Sequence, residues 1–284
     1  MSAANVPTPM MRMMKKDVMR SASYILALVL FANPGWSADP APTEPSAAQE
    51  AATNPALEAA IKKLNLPGVA INVKERCVDV DASVCLTRGM LELIACTKRT
   101  KEHESIVIVL AKAVHIHTAL LLLGAQPGSP AMRKAPEGEI GRWIDILPRG
   151  GAVDVLLVLT DKEGKLTEHP INDFISRPSA KSGDAGNGKD IKFPTHTFIF
   201  AGSQLVGDGP GPRQYLSDQS GDVISISTFG DELLCLPDIN SQNNDSLEWE
   251  VNAKGLPAVG TKVTLRLRPH LTAAAISSTG GAAK

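Results

Sequence analysis

The chain has 284 residues, with 29 Lys and Arg against 30 Asp and Glu, a formal net charge of −1 and only 4% aromatic residues. This balance lacks the basic excess that nucleic acid or an anionic membrane surface selects, so neither is expected as a partner. Removing residues 1–37, which carry Arg12, Lys15, Lys16, Arg20 and Asp17, would move the net charge from −1 to −4.

Those first residues read as a targeting segment. Basic residues between Arg12 and Arg20 precede an apolar stretch from Tyr24 to Ala32, then Pro34-Gly35 and the small residues Ser37 and Ala38. That order is a secretory signal peptide, with cleavage after Ser37 placing Gly35 at the small-residue position. The stretch is short for a bilayer span, so no transmembrane helix is expected in the mature chain, with an uncleaved anchor as the rival reading. The expected location is therefore periplasmic or secreted. Residues 38–54 are rich in Pro, Ala and Glu without apolar periodicity and read as a disordered linker. Asn54-Pro55 then resembles an N-cap followed by proline at the first helical position, opening a short helix to about Asn65.

From Val69 to Cys96 apolar and polar residues alternate, as in Val78-Asp-Val-Asp-Ala82, which predicts half-buried antiparallel strands with a turn at Gly89. Ile106–Leu110 reads as a buried strand. Lys112–Leu123 reads as the one prominent helix, with stripes Val114/His117/Leu121 and Val114/Ile116/Leu120/Leu123 and Gly124 as its C-terminal cap. Strands are expected at 140–147 and 153–160, joined by Pro148-Arg-Gly-Gly151, with a further turn at Asp161–Gly164. Arg177–Lys189 is a polar surface excursion, and strands resume at 195–200, 214–216, 223–227, 247–251 and 262–267. The expectation is one α+β domain over residues 55–270, predominantly antiparallel β with a sheet or sandwich core, followed by a disordered tail at 271–284.

Five stretches carry a family resemblance: Lys101-Glu-His-Glu-Ser105, Ala119-Leu-Leu-Leu-Leu-Gly-Ala-Gln-Pro-Gly128, Phe200-Ala-Gly-Ser203, Gly221-Asp-Val-Ile224 and Gly260-Thr-Lys-Val263. In order and spacing the chain resembles the YdjY domain family of exported bacterial proteins, in the forms associated with planctomycete-like bacteria. The resemblance implies export but supplies no agreed catalytic residues. Its occasional ferredoxin-like label finds no support in the cysteine spacing here.

Candidate chemistry gathers at 101–117. Lys101, Glu102, His103, Glu104 and Ser105 form a candidate site: if extended, His103 and Ser105 share one face, and a histidine beside a carboxylate can serve as general base or metal ligand. His103, His115 and His117 are the candidate metal ligands, although His115 and His117 would lie about 200° apart on a helix and could not clamp one ion together. The competing reading of these residues is core packing and a surface charge pair. Cys77, Cys85, Cys96 and Cys235 are disulfide candidates in an oxidising compartment, with three full pairings allowed, or else buried free thiols. The aspartates 208, 218, 222 and 231 lack the calcium-loop pattern and read as turn residues. Phe198, Phe200, Phe229 and Trp249 read as core, a reading that an exposed Trp143 or Trp249 would revise.

Two functions remain open on this basis. One is an exported, non-catalytic binding or structural module with no resident cofactor, its partner an envelope protein or small molecule. The other is a divalent-metal-dependent hydrolase-like enzyme using His103, Glu104, His115 and His117.

Overall fold

The computed structural model describes residues 59, 61, 63–136, 138, 141–178, 191–207 and 209–271. The leader, the linker, most of the 177–189 excursion, Asp208 and the tail from residue 272 lie outside the described residues. Of the helix expected before Asn65, residues 59, 61 and 63 are described and are helical.

The strands are β1 (Val69–Asn72), β2 (Cys77–Val84), β3 (Leu93–Thr97), β4 (Ser105–Val109), β5 (Met132–Lys134), β6 (Ile144–Ile146), β7 (Ala152–Thr160) and β8 (Leu166–Pro170). They continue with β9 (Ile175–Ser176), β10 (Thr197–Phe200), β11 (Leu205–Val206), β12 (Gln214–Tyr215), β13 (Asp222–Ser225), β14 (Leu234–Cys235), β15 (Glu250–Val251) and β16 (Lys262–Pro269). Beyond the helical residues 59, 61 and 63, the α-helices among the described residues are α1 (Ala113–Leu122) and α2 (Leu216–Ser220).

Ten strands form one sheet, and without the edge strands β1 and β8 the remaining eight close on themselves in the order β2–β16–β7–β10–β14–β13–β3–β4 and back to β2. Two of these pairings, β3–β4 and β13–β14, are parallel and the rest antiparallel. The fold is thus the expected α+β, predominantly antiparallel type, and its core is a single barrel-like sheet. Closure follows from strand length. The long strand β2 pairs with β16 on one edge and shares its other edge between β1, opposite residues 77–80, and β4, opposite residues 82–84.

Alternation sets the two faces. In β2 the residues Val78, Val80, Ala82 and Val84 are buried while Asp79 and Asp81 point outward, and β16 repeats the pattern with Val263, Leu265 and Leu267 inside. Outside, Arg266 lies opposite Asp79 in register and grips both of its carboxylate oxygens at 2.7 and 2.6 Å, with Glu168 at 2.5 Å from the other side. This bidentate pair helps to fix the register of β2 against β16.

Helix α1 packs against β1, β2 and α2. Its buried residues are Ala113, Ile116, Ala119 and Leu120, continued by Leu123. The stripe through Leu121 does not form, because Leu121 points to solvent at 43% exposure and the buried face follows the 113/116/120/123 spacing. Gly124, at φ 89°, ends the helix as expected: its N–H donates to the carbonyl of Leu121 and the Ala125 N–H to that of Leu120, the paired bonds of a Schellman motif.

Several expectations are corrected. The strand expected at 140–147 is only Ile144–Ile146, paired with β5 in an exposed ribbon rather than with the main sheet. The strand expected at 214–216 is only Gln214–Tyr215, and the chain turns helical at once after it, since α2 occupies Leu216–Ser220 and ends at Gly221, φ 89°. Likewise only Glu250–Val251 of the 247–251 segment is strand. In each case the apolar run is too short to separate strand from helix by periodicity. Strands β11 and β12, on either side of the glycine-rich stretch, pair as an antiparallel hairpin.

Candidate functional site

Lys101–Ser105 does not extend. Glu102–Glu104 is a turn of 3-10 helix, so His103 and Ser105 do not share a face. Local hydrogen bonds explain this. Arg99 takes a positive φ of 69° and its N–H donates to the Glu102 carboxylate, the Thr100 hydroxyl donates to the Thr97 carbonyl at 2.6 Å, and the Ser105 hydroxyl donates to the Lys101 carbonyl at 2.8 Å. Side chains that bond to their own backbone compete successfully with the strand ladder. The turn leaves His103 in solvent, its side chain 79% exposed and 3.6 Å from Glu104, and sends Lys101 inward.

Lys101 reaches a partner the sequence did not indicate. Its ammonium lies 2.8 Å from the Asp222 carboxylate and 3.3 Å from the centroid of the Phe229 ring. Asp222 opens β13 and is 1% exposed. Burial pushes its carboxyl up to about 7, against the pull of Lys101, and a hydrogen bond with Asp231 pushes in the same direction as burial. Asp222 is therefore poised between its neutral and ionised forms near neutral pH. Around this pair stand Glu92, raised by burial and then by Glu104, and the fully buried Glu232, raised by burial. The Glu232 carboxylate accepts the N–H groups of Phe229 and Asp231 at 3.4 and 2.6 Å and so shapes the turn that presents both.

A second strap closes the same corner. Ser203, at φ 54°, donates its hydroxyl to the Asp231 carbonyl at 2.5 Å and accepts the Ser217 N–H at 3.0 Å. The Gly202 carbonyl accepts from the Tyr215 hydroxyl at 2.8 Å, and Nδ1 of His117 lies 2.8 Å from the Tyr215 hydroxyl oxygen and 3.1 Å from the Gly202 carbonyl oxygen. The His117 ring packs edge-on to Phe200 at 4.8 Å, and burial holds its basicity below the usual histidine range. His117 is thus a positioning residue for the 200–203 strap. His115 turns elsewhere on α1, with its Nδ1 buried and without a hydrogen bond. His103, His115 and His117 are not brought together, and among the described residues no group of three His, Cys, Asp or Glu side chains is arranged to hold a metal ion.

The four cysteines are free thiols, none paired in a disulfide. Cys77 and Cys235 are isolated in the sheet, with burial raising Cys77 to about 11 and Cys235 higher still. Cys85 and Cys96 are different, because a hydrogen bond joins their sulfurs.

Beside the corner lies a cleft of about 640 Å³ between the β5–β6 ribbon and the 239–243 loop, with Phe229 and Gly230 in its wall. Thr228, Asn240, Ser241, Gln242 and Asn243 supply its neutral polar groups, and Arg133 and Asp145, paired at 2.9 Å, its charges. Trp143 immediately precedes β6, two residues before Asp145, and is 64% exposed. Trp249 is instead packed edge-on to Phe193 at 4.8 Å. The expectation that aromatics serve only the core is therefore revised at Trp143 and Phe229, and holds for Phe198 and Phe200.

These features define a barrel-like α+β domain with one buried acid–base corner beside an open polar cleft. Residues 69–268 match the family model of the YdjY domain, and the chain belongs to that family. No curated protein and no solved structure matches it. Three of the segments that carry the resemblance, 101–105, 200–203 and 221–224, converge on the Lys101–Asp222–Asp231 corner. Sequence spacing could not have joined Lys101 to Asp222, since the contact is made across more than a hundred residues by the β3–β13 pairing.

Proposed function

We propose that the protein is an exported envelope domain that binds a small, neutral, hydroxyl-rich ligand of the saccharide class in the cleft beside Phe229, without catalysing its conversion. The basic-then-apolar order of residues 12–38 supports export. The single observation that carries the binding reading is the cleft itself: an aromatic wall with neutral amides and hydroxyls around it. The exposed indole of Trp143, two residues before the lining Asp145, is proposed to complete it. Amides and hydroxyls match alternating hydroxyl donors and acceptors, while the indole face covers the C–H face of a sugar ring. The side-chain amides of Asn240 and Asn243 make no hydrogen bond among the described residues and are free to do this.

The test is a titration with neutral β-linked oligosaccharides followed by tryptophan fluorescence. Saturable binding that is lost in Trp143→Ala and weakened at least tenfold in Phe229→Ala supports the reading. Unchanged binding in both variants contradicts it.

The Asp222–Asp231 pair favours one second reading, an acid–base enzyme with its substrate in the same cleft. Asp231→Asn separates the two: a binding module keeps its affinity, whereas an enzyme keeps binding and loses turnover.

A further inference from the structure

Four cysteines allow three full pairings, and the fold distinguishes among them. Cys77 begins β2 and Cys85 follows its end, so the whole length of the strand separates them. Cys235 lies in β14, next to β10 and β13. Cys85 and Cys96 flank β4 instead. The Cys85 N–H donates to the Ile106 carbonyl at 2.9 Å, and Cys96 pairs with Ile108 across the parallel β3–β4 ladder. The Cys85 thiol lies 3.1 Å from the Ser105 carbonyl oxygen and is hydrogen-bonded to the sulfur of Cys96. Around Cys96 are the Ser105 hydroxyl, the Lys101 backbone and the Thr100 hydroxyl. The thiol pair therefore sits directly under the turn that aims Lys101 at Asp222.

We propose that Cys85 and Cys96 are an oxidisable pair that forms a disulfide, locking the 98–105 turn onto the sheet. The chemistry is thiol–disulfide exchange with a disulfide oxidant. Cys85 is half-buried and Cys96 fully buried, so the oxidant meets Cys85 first. The Cys85 sulfur, after losing its proton, attacks one sulfur of the oxidant and releases one thiol. The Cys96 thiolate then attacks the Cys85 sulfur of the mixed disulfide and releases the second thiol. Two electrons and two protons leave the pair, and one oxidant disulfide becomes two thiols.

The Cys85 hydrogen bond, with help from its other polar neighbours, lowers the Cys96 thiol, which favours Cys96 as the attacking sulfur of the second step. The same bond, and then burial, raise Cys85, which makes the first step slow at neutral pH and faster in alkali. The proposal does not depend on the cleft. It rests on export only for the source of oxidant in the cell, and the test below supplies the oxidant directly.

The full chain is reduced, incubated with oxidised glutathione at alkaline pH, alkylated and mapped by mass spectrometry. The expected result is one linked peptide joining Cys85 to Cys96, with Cys77 and Cys235 alkylated only after denaturation. Cys96→Ser should stop at a glutathione adduct on Cys85, and Cys85→Ser should give neither adduct nor link. A link to Cys77 or Cys235 would overturn the proposal. So would four alkylatable thiols after oxidation of the folded chain and after refolding in the same glutathione mixture, a measurement that needs no variant to fold.

Discussion

Replacing Asp222 by Asn makes the pH dependence of stability report on the buried corner. Burial moves this carboxyl from 3.8 to about 7. At about 1.4 kcal/mol for each pH unit, ionised Asp222 costs the fold about 4 kcal/mol. Because the folded value lies above the unfolded one, the contribution of the neutral carboxyl is fully present below about pH 4. It is lost as pH rises through about 7. Glu92 and Glu232, also raised by burial, act in the same direction, while His117, lowered by burial, acts against them as it is forced to protonate. The difference between wild type and Asp222→Asn isolates the one group. Urea unfolding followed by near-ultraviolet circular dichroism from pH 8 to pH 4 should show wild type gaining about 4 kcal/mol relative to the variant. A difference constant to within about 0.5 kcal/mol, or one of opposite sign, would refute the buried, proton-holding state of Asp222.

Further expectations follow from packing and backbone geometry. Leu120→Ala empties a fully buried position under α1 and should cost about 2–5 kcal/mol, whereas Leu121→Ala on the exposed face should stay within about 0.5 kcal/mol in the same unfolding assay. A β-carbon at Gly128 would stand 1.8 Å from the Arg149 carbonyl oxygen, so Gly128→Ala should lower the melting temperature sharply; Gly209→Ala, with open space around it, should not. Glu168, held below the usual carboxylate range by Arg268 and then Arg266, stabilises the fold above about pH 4.5 and loses that contribution as acid protonates it, so Glu168→Gln should flatten the acid limb of the stability curve. Trp143→Ala should leave stability within about 0.5 kcal/mol while abolishing saccharide binding, as read by parallel thermal melts and titrations.

What was legible in the sequence was what local pattern determines. Val78-Asp-Val-Asp-Ala82 and Leu265-Arg-Leu-Arg268 alternate because one face of each strand fills the barrel, and Gly124 caps α1 because the left-handed conformation there favours glycine. Lys101 was recognisable as a site residue, but its partners were not. Asp222 read as a turn aspartate, since nothing local distinguishes a buried carboxyl from an exposed one. Its burial follows from sheet closure, which brings β13 beside β3. The 3-10 turn at Glu102–Glu104 escaped for a similar reason: the Thr100 and Ser105 hydroxyls, not apolar periodicity, decide it. Apolar spacing gave α1 two stripes, and only tertiary contact with β1, β2 and α2 selects between them.

The central claim is that the cleft beside Phe229 is where a ligand binds, and amide hydrogen exchange with and without a saturating β-linked oligosaccharide tests it most directly. The account predicts slowed exchange at residues 131–133, 228–230 and 239–243, with the β11–β12 hairpin unchanged. Protection confined to segments outside the cleft, or none at saturation, would contradict it.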